Sequence, residues 1–310
     1  MNRFVTCLIL FIVSRSGFSQ NRNLRAYTIE DGLPQSQVYD VIQDGVGYLW
    51  LGTQGGGLSR FNGNAFEVWN ESDGLQSNYI FALLSSKEKL YIGTKKGLSI
   101  KSKNVFLNIE APQVNKIYQF NNTIYLATKR GIYSLNKDET LKKISINKDI
   151  DSSSVNAIIF KNGFFWMATN QGFYRLSDLK EGLENLKKLE SNNFSAAISY
   201  QNKIYASTFA DGTFVFDLED LESPILMREP LRINSLSIQN ENELRVTTDN
   251  DGISIIETKT NSEKAVLNTK NGFSVAHIRK VLADSQSNLW IATSEVGSIN
   301  IFRTTLSIIP

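Results

Sequence analysis

Thiol and imidazole chemistry are almost missing from this chain. One cysteine and one histidine in 310 residues leave no thiol pair for a disulfide and no set of ligands for a zinc or redox-metal centre. No metal and no cofactor is therefore expected. Charge of either sign in excess is missing too: 33 basic residues stand against 31 acidic ones. Binding to nucleic acid by counterion release needs a cationic surplus, so no nucleic-acid partner is expected. Proline is scarce at five residues, which excludes a collagen-like or proline-rich low-complexity chain. Phosphate-cradling Gly-x-x-x-x-Gly-Lys and EF-hand calcium patterns do not occur. What is present is ordinary globular material, 41% hydrophobic and 11% aromatic, whose Thr, Tyr, Phe, Ile and Asn content leans towards strands and turns.

The first 19 residues read as an export signal. Arg3 supplies the positive start, Phe4 to Val13 is an uncharged apolar run, and Gly17-Phe18-Ser19 offers small residues where a signal peptidase reads. The run is far shorter than the roughly 20 residues that span a bilayer. Cleavage is expected after Ser19, with a periplasmic or secreted destination. Cys7 lies within the apolar run, so the mature chain would hold no thiol and would be stabilised by packing alone. Without Arg3 and Arg15 the basic residues number 31, equal to the acidic ones.

A repeat organises the rest. The segments Leu49-Trp-Leu-Gly-Thr53, Leu90-Tyr-Ile-Gly-Thr94, Ile124-Tyr-Leu-Ala-Thr128, Phe165-Trp-Met-Ala-Thr169, Ile204-Tyr-Ala-Ser-Thr208, Leu244-Arg-Val-Thr-Thr248 and Leu289-Trp-Ile-Ala-Thr293 follow one another at spacings of 41, 34, 41, 39, 40 and 45 residues. Each ends in Thr after a small residue or another Thr, and a Gly follows: Gly57, Gly97, Gly131, Gly172, Gly212, Gly252 and Gly297. The five-residue cores suit strands buried on both faces, and the Gly permits the positive φ of a tight hairpin. An apolar stretch precedes each core and a further strand follows each hairpin, giving four strands per repeat. A period near 40 with four strands is the signature of a propeller. The small residue before each Thr is expected to relieve crowding where blades converge on the axis.

Arg25 to Ile29 and the following Glu-Asp-Gly-Leu33 match Phe66 to Trp69 and its exit turn ending at Gly74-Leu75. The final repeat lacks its own fourth strand. The expectation is an all-β, seven-bladed β-propeller of four-stranded antiparallel blades over residues 20–302, with the last blade closed by the N-terminal strand. Residues 303–310 are read as a tail or linker, and Ser177 to Glu190 as an inserted loop.

These residues resemble the two-component regulator propeller repeat. The first copy carries Asp31-Gly-Leu-Pro, Val38, Asp44-Gly45, Leu49-Trp-Leu-Gly-Thr53, Gly56-Gly-Leu58 and Phe61; the fifth and sixth depart most, with Ser207, Thr247 and Arg245 in place of Gly and an aromatic. The resemblance implies the periplasmic sensor region of hybrid histidine kinases, perceiving carbohydrate fragments. It also implies a membrane sensor kinase or a second copy as partner. A kinase needs a phosphoaccepting His on a helix, whereas His277 sits at a strand start in Val275-Ala-His-Ile-Arg279; no kinase activity is expected of these residues.

In a propeller the loops joining fourth to first and second to third strands share one face. The residues just before each first strand, Gln37, Tyr79, Gln113, Ser154, Asn193, Arg232 and His277, are the candidate ligand ring, able to meet hydroxyls and sugar faces. The hairpins add a basic sector, Lys95, Lys96, Lys129 and Arg130, and an acidic one, Asp211, Asp249, Asp251 and Glu295. The basic sector suits a uronate or sulfate. Trp50, Trp166 and Trp290 are expected between blades, with Asp44 and Asp284 capping turns. A propeller lyase or glycosidase would need converging carboxylates or a Tyr with His or Arg, for which Asp249, Asp251, Tyr79 and His277 are the candidates. No segment departs from the repeat as a grafted active site would, so no catalytic residue is assigned. A protein-interaction scaffold is the third reading.

Overall fold

A buried threonine hydroxyl organises every blade. The repeat Thr side chains are 0–1% exposed. Each hydroxyl whose hairpin is described donates to the carbonyl of the glycine that closes that hairpin, for example Thr128 to Gly131 at 2.8 Å and Thr169 to Gly172 at 2.9 Å. The same oxygen accepts from a loop amide, Arg130 N–H at 3.1 Å in one blade and Asp211 N–H at 2.7 Å in another. A hydroxyl that donates and accepts at once fits a dry hairpin, and only Ser or Thr supplies it. Thr128→Val should therefore cost about 1–3 kcal/mol, because it strands a buried donor and acceptor; urea unfolding measures it. Gly57 completes the turn at φ +88°, where a Cβ would collide with the Trp69 carbonyl.

The computed structural model describes residues 24–303, apart from 178, 180–186, 191, 222–223, 227–232, 250, 272–276 and 295–298. The proposed signal segment, the last seven residues, Arg232, Glu295 and Gly297 lie outside the described residues. Seven four-stranded sheets are present among the described residues. In six the strands run in chain order from the innermost outwards; in the seventh, Ile278–Ala283, Asn288–Thr293 and Ile299–Arg303 are completed by Leu24–Tyr27. That outermost strand pairs antiparallel with Ile299–Arg303, with Leu24 opposite Phe302 and Tyr27 opposite Ile299. Each innermost strand touches the next, and the last touches the first. The sheets thus form a closed ring around an axis.

The hydrophobic core is divided among the seams between blades. Trp50, Leu58, Ile80 and Ile92 fill the first seam; Trp166, Phe173, Phe194 and Phe216 fill the fourth. Tyr27, Val38, Phe61 and Trp290 fill the closing one. The small residue before each Thr relieves crowding where neighbouring blades converge. A Cβ on Gly52 would lie 2.5 Å from Ile80 Cγ2, on the inner strand of the next blade, and one on Gly93 would lie 2.7 Å from Val114 Cγ1.

The two matching exit turns are the same device. Thr28 and Asn70 accept from Glu30 N–H and Ser72 N–H, Asp31 and Asp73 accept in return from the cap amides, and Gly32 and Gly74 follow at φ +98° and +97°. Leu33 and Leu75, 2% and 3% exposed, anchor each turn. Arg245 takes the place of the aromatic in blade six; burial pushes its guanidinium down to about 10, with Glu243 opposing.

One expectation needs correction. Ser177 to Glu190 is not wholly an inserted loop: Lys187–Glu190 is the outer strand of blade four, paired with Phe173 to Arg175 across a register shift. Its three charged residues, which mask the strand pattern, suit a solvated outer edge. Blade five closes more thinly, its outer strand being only Ile225–Leu226.

Candidate functional site

Every innermost strand carries a β-bulge at its second residue. Val38 pairs with Thr53 and Asp40 with Gly52, leaving Tyr39 between them without a partner. The same shift leaves Phe81, Asn115, Asn156, Ser195, Asn234 and Arg279 unpaired. The residue before each bulge is wholly buried in a seam: Val38, Ile80, Val114, Val155, Phe194, Ile233 and Ile278 are each 0% exposed. A bulge bends the strand and re-aims the extra side chain, and here all seven line a cavity of about 260 Å³ on the axis. Phe209, 45% exposed, also lines it from the second-to-third-strand loop of blade five. The cavity therefore opens on the face that carries those loops.

Four of the ring residues stitch neighbouring blades together. Asn115 donates to Val155 O at 2.9 Å, Asn156 to Phe194 O at 2.7 Å, Ser195 to Ile233 O at 2.7 Å and Asn234 to Ile278 O at 2.9 Å. Each bond reaches the carbonyl just before the next bulge. The remaining three form an aromatic and cationic arc: Tyr39 and Phe81 lie 5.2 Å apart, and the Arg279 guanidinium sits 5.3 Å from the Tyr39 ring centre. Arg279 also donates to Asn234 Oδ1 at 3.1 Å and lies 3.6 Å from Asp249 Oδ1.

One residue deeper, Asp40 receives the Leu83 N–H of blade two at 2.8 Å and pairs with Lys280 of blade seven. Asp40 is 2% exposed, so one carboxylate joins three blades. Lys116 and Lys280 line the same cavity. Burial pushes the Lys116 ammonium below its ordinary pKa, with Asp40 opposing the shift and Lys280 adding to it.

The ring expected from sequence stands beside this cavity without lining it. The carbonyls of Gln37, Tyr79, Gln113, Ser154, Asn193 and His277 each accept from the amide after the repeat Thr, at 2.9, 3.0, 2.9, 3.0, 3.2 and 3.0 Å. These residues hold the hairpin to the inner strand. The cavity ring begins two positions further along the chain. A signal for it was present, since a polar or aromatic residue follows the first large apolar one in each first strand, but a strand without bulges would have pointed it elsewhere.

The basic sector divides. Lys95, Gln113, Lys129 and Arg130 line a shallow depression of about 340 Å³ between blades two and three, and the Lys95 ammonium lies 5.1 Å from the Tyr79 ring centre. Lys96 instead pairs with Glu71 at 2.9 Å, and that bond holds the Glu71 carboxyl below its usual range. In the acidic sector, Asp211 accepts from Asn192 at 2.8 Å and Asp249 from Asn234 at 2.7 Å. No group of His, Cys, Asp and Glu able to hold a metal occurs among the described residues.

A larger cavity, about 450 Å³, opens on the opposite face at the closing seam, between Tyr27, Phe61 and Trp290. Asp284 there accepts from Trp290 Nε1 at 2.8 Å and from Gln286 and Asn288 amides at 2.9 and 2.8 Å. Asp44 does the same for Trp50, at 2.8 Å. These aspartates both cap their turns and tether the seam tryptophans. Burial raises the Asp284 carboxyl, but the hydrogen bonds from Trp290 and Asn288 outweigh it and leave the group below its ordinary value. The seam cavity is thus walled by structural contacts, whereas the axial cavity gathers a residue from every blade.

Fold and cavity define an all-β propeller with an axial polar pocket. Residues 32–55 match the two component regulator propeller family. Over 56 residues, 17% of this chain, the sequence is 41% identical to histidine kinase P4 of Formosa agariphila; that stretch is 4% of the kinase. The structure is similar to the extracellular domain of BT3049 of B. thetaiotaomicron, designated a hybrid two component system, with a TM-score of 0.76 and 21% identity over 91% of this chain and 42% of that one. It is also similar to streptogramin B lyase, with a TM-score of 0.62 and 16% identity over 90% of this chain and 96% of the lyase. These structural likenesses establish the fold, and a fold shared with a lyase does not choose between binding and catalysis. The chain spans less than half of the BT3049 extracellular domain. No helix among the described residues is long and apolar enough to cross a membrane.

Proposed function

We propose that this propeller is an exported sensory module that holds a small extracellular carbohydrate fragment at the axial cavity and passes the signal to a membrane sensor kinase. The observation that carries the reading is the ring of bulge residues. Seven blades contribute two aromatic faces, three amides, a hydroxyl and a guanidinium around one opening. That mixture of apolar faces and directed donors suits a sugar, whose ring offers both C–H faces and hydroxyls. At about 260 Å³ the space lies just under the roughly 300 Å³ at which drug-sized pockets begin, which favours a short fragment over a long chain. The two carboxylates nearest the ring, Asp40 and Asp249, each face a cation. Neither is placed as a free acid or base, which supports binding over turnover.

The test is a thermal-shift screen of mono- to tetrasaccharides, with mass spectrometry of the same mixtures. At least one fragment should raise the melting temperature without forming product. Tyr39→Ala should weaken that ligand about tenfold or more, since a stacked aromatic contact contributes about 0.5–1.5 kcal/mol beyond the area it buries. Product formation would make the protein an enzyme. No shift with any sugar, together with capture of a periplasmic protein, would make it a scaffold.

A further inference from the structure

Charged groups around the axial cavity do not balance. Lys116, Lys280 and Arg279 line it on the cationic side. Asp40 pairs with Lys280, and Asp249 lies 3.6 Å from Arg279. Among the described residues no hydrogen bond or ion pair reaches the Lys116 ammonium. The side chain is half-buried, lines the cavity, and feels the charges of Asp40 and Lys280. An ammonium held there without a bonded partner of its own is disfavoured, since the nearby Asp40 charge only partly offsets its desolvation. The depressed pKa of Lys116 points the same way.

A lysine with a merely structural role would be expected to be paired, as its neighbour Lys280 is. The neighbours of Lys116 in the cavity wall are polar, although their amides are already engaged in bonds between blades. Asn115 precedes it on the same strand, and the amide of Asn156 lines the cavity one blade on. Asp40 is already engaged by Lys280 and the Leu83 amide, and Lys116 lines the cavity.

We propose that Lys116 is the anion subsite of the axial cavity, where it takes a carboxylate or sulfate group of the bound ligand with Lys280 beside it. The inference rests on the axial cavity being the ligand site and adds a chemical class to it: an acidic sugar rather than a neutral one. Charge-assisted bonds from an ammonium to an oxyanion are stronger than neutral ones, and the group would complete a cavity that otherwise carries one uncompensated cation.

The experiment uses the whole chain with lysines dimethylated by ¹³C-formaldehyde and borohydride, followed by NMR. The signal missing in Lys116→Met identifies Lys116. Sodium sulfate, sodium acetate, glucuronate and glucose are titrated in turn at constant ionic strength. The expected result is a saturable displacement of the Lys116 signal and a rise of its titration midpoint with sulfate, acetate or glucuronate, and no such rise with glucose. Response to glucuronate alone assigns the subsite to an acidic sugar; response to all three assigns it to oxyanions in general. A Lys116 signal that moves with none of them, or only linearly with concentration, overturns the proposal. The parent reading is scored separately by the neutral sugars of the thermal-shift screen, which can succeed while this fails.

Discussion

Asp40→Ala is expected to destabilise the propeller by about 3–5 kcal/mol, the range for removing one partner of a buried ion pair. Asp40 is 2% exposed and joins Lys280 of blade seven to the Leu83 amide of blade two. Its loss strands the Lys280 ammonium and a buried N–H together, beside the already unpaired Lys116. Asp40→Asn keeps an acceptor for Leu83 and should cost less. Adding Lys280→Met to Asp40→Ala should recover part of the loss, because the pair is then gone rather than broken. Chemical unfolding of the four proteins measures this. Equal stability for the wild type and Asp40→Ala would show that the carboxylate is not a joint of the ring.

Tyr27→Ala should cost a similar amount, about 3–5 kcal/mol, the range for truncating a large buried aromatic side chain. Tyr27 is 5% exposed and touches Phe61, Phe66 and Trp290, at ring-centre distances of 4.9, 5.7 and 5.9 Å. It belongs to the strand that closes the last blade, so its contacts fasten the start of the chain to the end of the ring. Deleting residues 1–28 goes further and removes that strand altogether. The edge of Ile299–Arg303 would then be open to pairing with another chain. Size-exclusion chromatography should show association for the deletion and a monomer-sized peak for Tyr27→Ala, with the melting temperature lowered in both. An unchanged melting temperature for the deletion would mean that closure contributes nothing to stability.

Much of the strand plan was legible from residues 24 to 303 because each blade repeats the same local chemistry. The Thr and Gly of each hairpin serve one another across a few residues, as Thr128 and Gly131 do. Asp44 and Trp50 lie six residues apart and meet within one turn. The outer strand of blade four was not legible, since Lys187–Glu190 lies on a solvated edge where no apolar pattern is required.

Sequence alone determined the period, the strands nearest each Thr and the turns, because those depend on contacts between neighbours in the chain. Only the tertiary structure decided which side chains meet on the axis. One unpaired residue in every inner strand turns Tyr39, Asn156 and Arg279 into the cavity in place of Gln37, Ser154 and His277. Side chains of a regular strand alternate between the two seams, and the unpaired residue at each bulge is turned off that alternation towards the centre. The pairing of Asp40 with Lys280 depends on closing the ring across 240 residues, and no local pattern in the chain encodes that distance.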